Sequence, residues 1–526
     1  MGTTLFELYL VVQRLAVLAL GVCPEEPNSF EIQNFHVWFQ PGVAQWLDIA
    51  LYKALQRIQK AVELDQLEPV DNSVKYSSSA VDTLAIFYQI KIFWKQLAWP
   101  DVETSYTFVA KIIDDICRCS VFFADRMSEK VEGMGETENV YEKKFEVTNE
   151  WCLAINNIDY VKQSILPFVG ELGMEEIVSA LADYRSQMAA DHCRQTLQLV
   201  IDNAIDTVGN KILELLEKVA EKMAPAINRF LLEGAELLNQ ENNCVDRLMK
   251  YLDDNLLTLH SHLNTDNFNR ILSIIWENLS HSMYGIVQSN LERRRPPTFF
   301  LNLHETLKIL VGFFKQGDDS NSASSPAILK KIEHILLLHG MESWELIHRF
   351  HLERREEHRY IETASLGLLT VRLQFVENLL RVEILNARNL QPMDVNVHLL
   401  PEERFTNVTK PRTKTHKKTQ FPLFDEKFTL HLTKEQVEME DGLIMFTVKD
   451  QDFLGMNEFL GETFVSFSDV PKTDMTTGLE QLDQVHLKLS RPIALDTEVY
   501  KVLENRQDKL ARDFIKKQKA KLPHSN

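Results

Sequence analysis

The stretch Leu368–Ala387, LLTVRLQFVENLLRVEILNA, decides how this chain is built. Leu369, Val371, Leu373 and Phe375 alternate with polar residues, and Leu380, Val382 and Ile384 alternate with Arg381 and Glu383. A period of two places apolar side chains on one face of a strand and polar ones on the other. Further short runs follow at Val395–Leu399, Phe428–Leu432, Leu443–Val448, Phe464–Phe467 and Val485–Leu489. Six or more short strands separated by turns predict an antiparallel β-sandwich. From Val499 to Leu522 the pattern returns to helix and ends in Lys516, Lys517, Lys519 and Lys521.

Upstream of this stretch the period changes to that of helices. Val245, Leu248, Met249, Leu252, Leu256, Leu259 and Leu263 form one stripe. Ile212, Leu213, Leu215, Leu216, Val219 and Met223 form another, which Pro225 is expected to end or kink. Glu129–Glu146 reads as a polar loop, and Gly317–Pro326, GDDSNSASSP, as a flexible insertion. Long helices with few glycines predict stacked bundles in an elongated rod. The fold class is therefore mainly α with a β domain: stacked helical bundles, then an antiparallel sandwich, then a short C-terminal helix.

Charge divides the same way. The whole chain has 526 residues, with 57 Lys and Arg against 76 Asp and Glu, a net of −19. Residues 361–526 hold 23 cations and 25 anions, so nearly all the excess acid lies in residues 1–360. An acidic body disfavours nucleic acid as a partner, because duplex affinity rests on Lys and Arg neutralising phosphates. Leu5–Val22 is the most apolar stretch, but Glu7 and Arg14 interrupt it, and no Lys or Arg precedes it. It reads as an amphipathic core helix, neither a membrane span nor a signal peptide. The six cysteines contain no CxxC pair and read as reduced, mostly buried thiols of a cytosolic protein. The seven tryptophans read as core. His348, His351 and His358, among several arginines, read as a solvated helix rather than a metal site.

Two constellations in the sandwich carry chemistry. Asp450 and Asp452 follow a strand, with Glu458 a little further on and Asp394 at an earlier strand end. Carboxylates delivered to one loop are what a hard cation such as calcium requires. Phe453 and Leu454 lie between them, apolar residues suited to a lipid interface. The second constellation is basic. Arg404–Leu423 contains no acid but holds Lys410, Arg412, Lys414, Lys417 and Lys418. Lys410, Arg412 and Lys414 alternate, so on a strand they share one face. Each cation near an anionic leaflet contributes about 1 kcal/mol, so five give about 5 kcal/mol at most, too little for stable docking alone. No GxSxG, P-loop or HExxH is present, so no catalytic residue is expected.

The runs LLRVEILNARNLQPMD, VNVHLLP, FPLFDEKFTL and FTVKDQDFLGMNEFLGETF closely resemble a C2 domain. Upstream, FHVWFQPGVAQWLDIALYKALQRIQKAVELDQLEPVD and WKQLAWPD resemble a first Munc-homology region, and LMKYLDDNLLTLHSHLNTDNFNRILSIIWENL a second. Together they resemble the carboxyl half of a Munc-thirteen family protein, from within its MUN domain. The resemblance implies a first Munc-homology region over 1–128, a connecting bundle over 129–237, a second region over 238–346, a helical linker over 347–366, a C2 domain over 367–492 and a basic tail over 493–526. It also implies a cytoplasmic vesicle-priming or tethering factor, peripheral on membrane, with syntaxin-type SNAREs and anionic phospholipid as partners. The alternative it leaves open is a tethering scaffold that does not act on SNAREs. The implied calcium site is weakened or lost. The family's calcium-binding pattern continues after its first Asp through a glycine-containing turn and a second Asp, whereas Asp394 runs straight into Val395.

Overall fold

Spaced apolar residues and scarce glycine give the first 360 residues long helices, as a computed structural model of the chain shows. It describes residues 3–22, 31–132, 134, 144–236, 243–315, 326–388, 393–414, 421–451, 457–492 and 494–522. The helices are α1 (Thr3–Val22), α2 (Phe35–Leu64), α3 (Ser78–Leu97), α4 (Val102–Val131), α5 (Asn149–Glu171), α6 (Met174–Tyr184), α7 (Gln187–Glu236), α8 (Asn243–His262), α9 (Thr265–Leu291), α10 (Pro297–Lys315), α11 (Pro326–Gly340) and α12 (Ser343–Arg359). The helix does not end at Pro225, because α7 runs through it. One lost backbone bond is offset by packing on either side, where Val219, Met223, Ile227 and Leu231 are all buried. The expected loop starts later than Glu129, since α4 extends to Val131. The insertion at 317–326 falls almost wholly outside the described residues.

The chain divides into two compact units. The first comprises residues 1–233, 239–283 and 313–326. In it α2 packs on α3 and α4, and α5 packs on the same two, which makes a four-helix bundle. Polar residues fix its ends. Asp65, which closes α2, is buried and accepts bonds from the hydroxyls of Ser77 and Ser79, both at 2.5 Å. Asn157 of α5 donates to Ser77 Oγ at 2.6 Å, and its own oxygen accepts from the Ser77 amide. Next along α5, Asn156 donates to the His262 carbonyl at the end of α8. Cys117, Cys119 and Cys152 are buried in this unit, and burial pushes their thiols up to about 12. Helix α1 corrects the expectation of a core helix. Tyr9 and Ala16 are buried, but Leu8, Val11, Leu15, Val17, Leu18 and Val22 are exposed. By length and composition it is apolar enough to cross a membrane, with a mean hydropathy of 1.8. Trp38 is likewise no core residue, being 61% exposed, while Trp94, Trp99, Trp151 and Trp276 are buried.

The second unit comprises residues 234–238, 284–312 and 327–526. Its sandwich contains β1 (Leu368–Val376), β2 (Leu379–Arg388), β3 (Met393–Leu400), β4 (Leu423–His431), the short helix α13 (Lys434–Val437), β5 (Leu443–Gln451), β6 (Asn457–Ser466), β7 (Lys472–Thr473) and β8 (Val485–Lys488). One sheet has the order β4-β2-β1-β7, with β8 also pairing β1, and the other has the order β3-β5-β6. The alternating residues meet between the sheets. Leu369, Val371, Leu373 and Phe375 of β1 pack with Val395 and Val397 of β3 and with Ile444, Phe446 and Val448 of β5. The helical tail is two helices rather than one: α14 (Glu498–Asn505) and α15 (Lys509–Lys519). Asp508 separates them and caps α15, accepting from the Ala511 amide at 2.9 Å.

The outer face of the β3-β5-β6 sheet is also apolar. Leu400, Leu443, Met445 and Phe464 are buried there, with Leu352 of α12 packed against them. This overturns the expectation that α12 is solvated, because His348, His351 and Arg354 are all buried. Helix α12 also packs on α14 and α15 through Leu346, Phe350, Val499, Leu503 and Phe514. At the centre of this seam stands Glu462 of β6, fully buried. Lys521 donates to it at 2.7 Å, and Arg354 Nε lies 3.6 Å away. Burial alone would raise this carboxyl, yet Lys521 and Arg354 hold it below its ordinary value.

Candidate functional site

The basic stretch of the sandwich lies along the free edge of β3. The Val397 amide donates to the Pro411 carbonyl and the Thr413 amide to the Val395 carbonyl, each at 3.0 Å. Thr413 is buried, and its hydroxyl accepts from the Val395 amide. This pairing holds Arg412 opposite Asn396. The three alternating cations then have different surroundings. Lys410 reaches Glu402 at 2.7 Å. His398 and Lys410 together hold Glu402 down to about 2. The Arg412 guanidinium bonds the Asp394 carboxylate. Lys414 is exposed and has no ion pair among the described residues. Lys417 and Lys418 lie outside the described residues.

The carboxylate set is separated by strand register. Asp394 lies inside β3, opposite Lys449, and Asp450 is one step further along β5, opposite Met393. Successive positions on a strand alternate between faces. Asp394 therefore shares a face with Asn396 and His398, while the backbone position of Asp450 continues the face of Val448. The side chain of Asp394 is fully buried, and both its oxygens are engaged: Oδ2 accepts from Arg412, and Oδ1 from Nδ2 of the Asn396 side chain at 2.9 Å. It does not have the free oxygens of a calcium ligand. The backbones of Asp450 and Glu458 stand directly opposite each other where β5 pairs β6. The side chains of those two residues, and Asp452, Phe453 and Leu454 altogether, lie outside the described residues. Among the described residues no cluster of three metal-ligating side chains occurs.

Sequence reading missed two features. The role of Arg412 depends on its pairing opposite Asn396, two strand positions from Asp394. The seam around Glu462 had no signal in the sequence, because its members come from α12, β6 and the tail.

The MUN domain pattern matches residues 22–296, and the C2 domain pattern matches residues 378–482. The chain belongs to the MUN-domain, or unc-13, family. Both matching domains of this family are binding modules rather than enzymes. Protein unc-13 homolog 4B of Drosophila melanogaster is 46% identical over 529 residues, 99% of this chain and 45% of that protein. Protein unc-13 homolog D of Homo sapiens is 27% identical over 98% of this chain and 48% of its own length. BAI1-associated protein 3 of Mus musculus is 29% identical over 98% of this chain and 45% of its own length. This member of the unc-13 family thus spans a little under half the length of these relatives.

Proposed function

We propose that the chain is a vesicle-priming or tethering factor of regulated exocytosis, dense-core vesicle release or endosome-to-Golgi traffic. Its MUN domain engages syntaxin-type SNAREs, and its C2 domain contacts anionic phospholipid. The observation that carries this reading is the succession, in one chain, of an acidic MUN domain and a C2 domain that holds an acid-free basic stretch and leads into a basic tail. The two halves have the electrostatics of two different partners. The acidic half repels a phosphate surface, and the second half presents cations to one.

On the C2 domain the lipid contact is the edge carrying Lys410 and Lys414, together with Lys417, Lys418, Phe453 and Leu454, which the sequence places near it or near the acidic residues. Arg412 belongs to that edge in sequence, but its bond to Asp394 supports a structural role. Calcium would be held by Asp450, Asp452 and Glu458, where it supplies positive charge for lipid phosphates. Asp394, bonded to Arg412 and Asn396, is not available as a further ligand, so the affinity is low. Flotation of the whole chain with anionic liposomes, in calcium and in chelator, tests this. Equal binding in both is expected, and no binding in either would remove the lipid part. A pull-down with syntaxin-type SNAREs tests the other half. Retention of the chain is expected, and its absence with every syntaxin and with assembled SNARE bundles would leave a tethering scaffold.

A further inference from the structure

The corner between α14 and α15 forms an open pocket of about 310 Å³, far from the edge of β3 in sequence. Four cations line it, Arg506, Arg512, Lys516 and Lys519, against one carboxylate among the described residues, Glu504. Its volume is at the lower end of small-ligand pockets, roughly 300–1,000 Å³. Two of the cations are committed to the protein. Arg506 is half-buried and donates to the carbonyls of His339 at 2.6 Å and Met341 at 2.9 Å. Lys519 pairs with Glu504 at 2.7 Å. The other two, Arg512 and Lys516, are exposed and have no ion-pair partner among the described residues.

The helix dipole favours Lys516 and Lys519 in the last turn of α15, but it does not account for Arg512. Arg512, Lys516 and Lys519 stand at i, i+4 and i+7, on one face of α15, and like charges at that spacing disfavour a helix. Lys509 and Arg512 lie in the first turn, where the positive end of the helix dipole disfavours cations. What the stripe has in common is the pocket it faces. Convergent cations around a small concavity suit a compact ligand with several phosphate groups. Arg512 offers it a planar fork, and Lys516 a point charge.

We propose that the α14–α15 corner is a binding site for a multiply phosphorylated headgroup, free or carried on a lipid. The proposal is independent of the C2 edge, which uses different residues. The test uses the full chain with two probes: soluble inositol trisphosphate by calorimetry, and phosphatidylcholine vesicles with or without phosphatidylinositol bisphosphate by flotation. Replacing both free cations, Arg512→Gln with Lys516→Gln, should weaken binding about thirtyfold, as two membrane-facing cations imply. The variant Lys53→Gln with Lys60→Gln, two exposed cations of α2, should leave the trisphosphate affinity unchanged. Thermal melting checks that each variant is folded. Binding of both probes assigns a lipid headgroup, and binding of the trisphosphate alone assigns a free ligand. The proposal is overturned by no heat with the trisphosphate and no vesicle preference. It is equally overturned by a folded Arg512→Gln, Lys516→Gln variant that binds as the unmodified chain does.

Discussion

Asp394 and Arg412 show how one contact can alter the meaning of a motif. A carboxylate at a strand end beside an acidic loop reads as a cation ligand. Inside β3, it is buried and neutralised by an arginine that strand pairing holds in place. Removing only the arginine leaves a buried charge without its cation, and such losses are costly. Arg412 is itself about half exposed, which reduces the penalty. Arg412→Gln should therefore destabilise the sandwich by about 1–3 kcal/mol. Adding Asp394→Asn should recover part of that loss, which denaturant titration of both variants would measure. If the single variant were as stable as the unmodified chain, Arg412 would be a surface cation and would return to the lipid-binding set. Calcium affinity of the Arg412→Gln variant, by calorimetry, should stay unchanged, because strand register keeps Asp394 on the opposite face from the position of Asp450.

At the scale of elements, the C-terminal helices matter because they complete a second core. Phe514 of α15 meets Phe350 of α12 edge-on, with ring centres 5.3 Å apart, and both are buried. A large aromatic removed from such a site costs about 3–5 kcal/mol. Phe514→Ala should release α15, and amide exchange should speed up over α15 while the β1–β2 pairing stays protected. Lys521→Met should act on the same seam, since it leaves the buried Glu462 carboxylate with Arg354 as its remaining ion-pair partner among the described residues. Its effect should be confined to β6 and the tail in the same exchange experiment. Uniform loss of protection across the sandwich would show that the helices and sheets unfold as one cooperative unit.

At the scale of the molecule, the unit that holds the C2 domain has an acid-sensitive interior. Burial pushes His351 down to about 3, with Lys521 next in effect, although Glu462 opposes it. Burial also pushes His358 and His339 down to about 4, helped by Arg354 and Arg506 respectively. Each histidine therefore contributes stability above its unfolded value of 6.5, and that contribution is lost as the pH falls from there toward the folded value. For fully buried His351 the loss by pH 5 is about 2 kcal/mol. The lowered carboxyl of Glu462 adds a further loss below its ordinary range. The melting transition of this unit should fall steadily from pH 7 to pH 4. His351→Leu should flatten that slope, and an unchanged slope would place the acid sensitivity elsewhere.

Much of this was legible along the chain, and the reason is the range over which each feature acts. Alternation in Leu368–Ala387 and the helical stripes upstream are local properties, and they named a helical body, a sandwich and a helical tail. The C2 and MUN assignments were also carried by contiguous motifs. What the linear order could not convey was which face of an element would be covered, and by what. Helix α12 is rich in charge, so it read as solvated, yet the apolar outer face of β6 and β5 takes it as a cover. Helix α1 is rich in apolar residues, so it read as core, yet most of that surface is exposed. Asp394 read as a ligand until a residue eighteen positions later paired across it. Periodicity follows from backbone geometry within one element and can be read from sequence alone. Burial and charge pairing depend on which distant elements meet, and only the tertiary structure decided those.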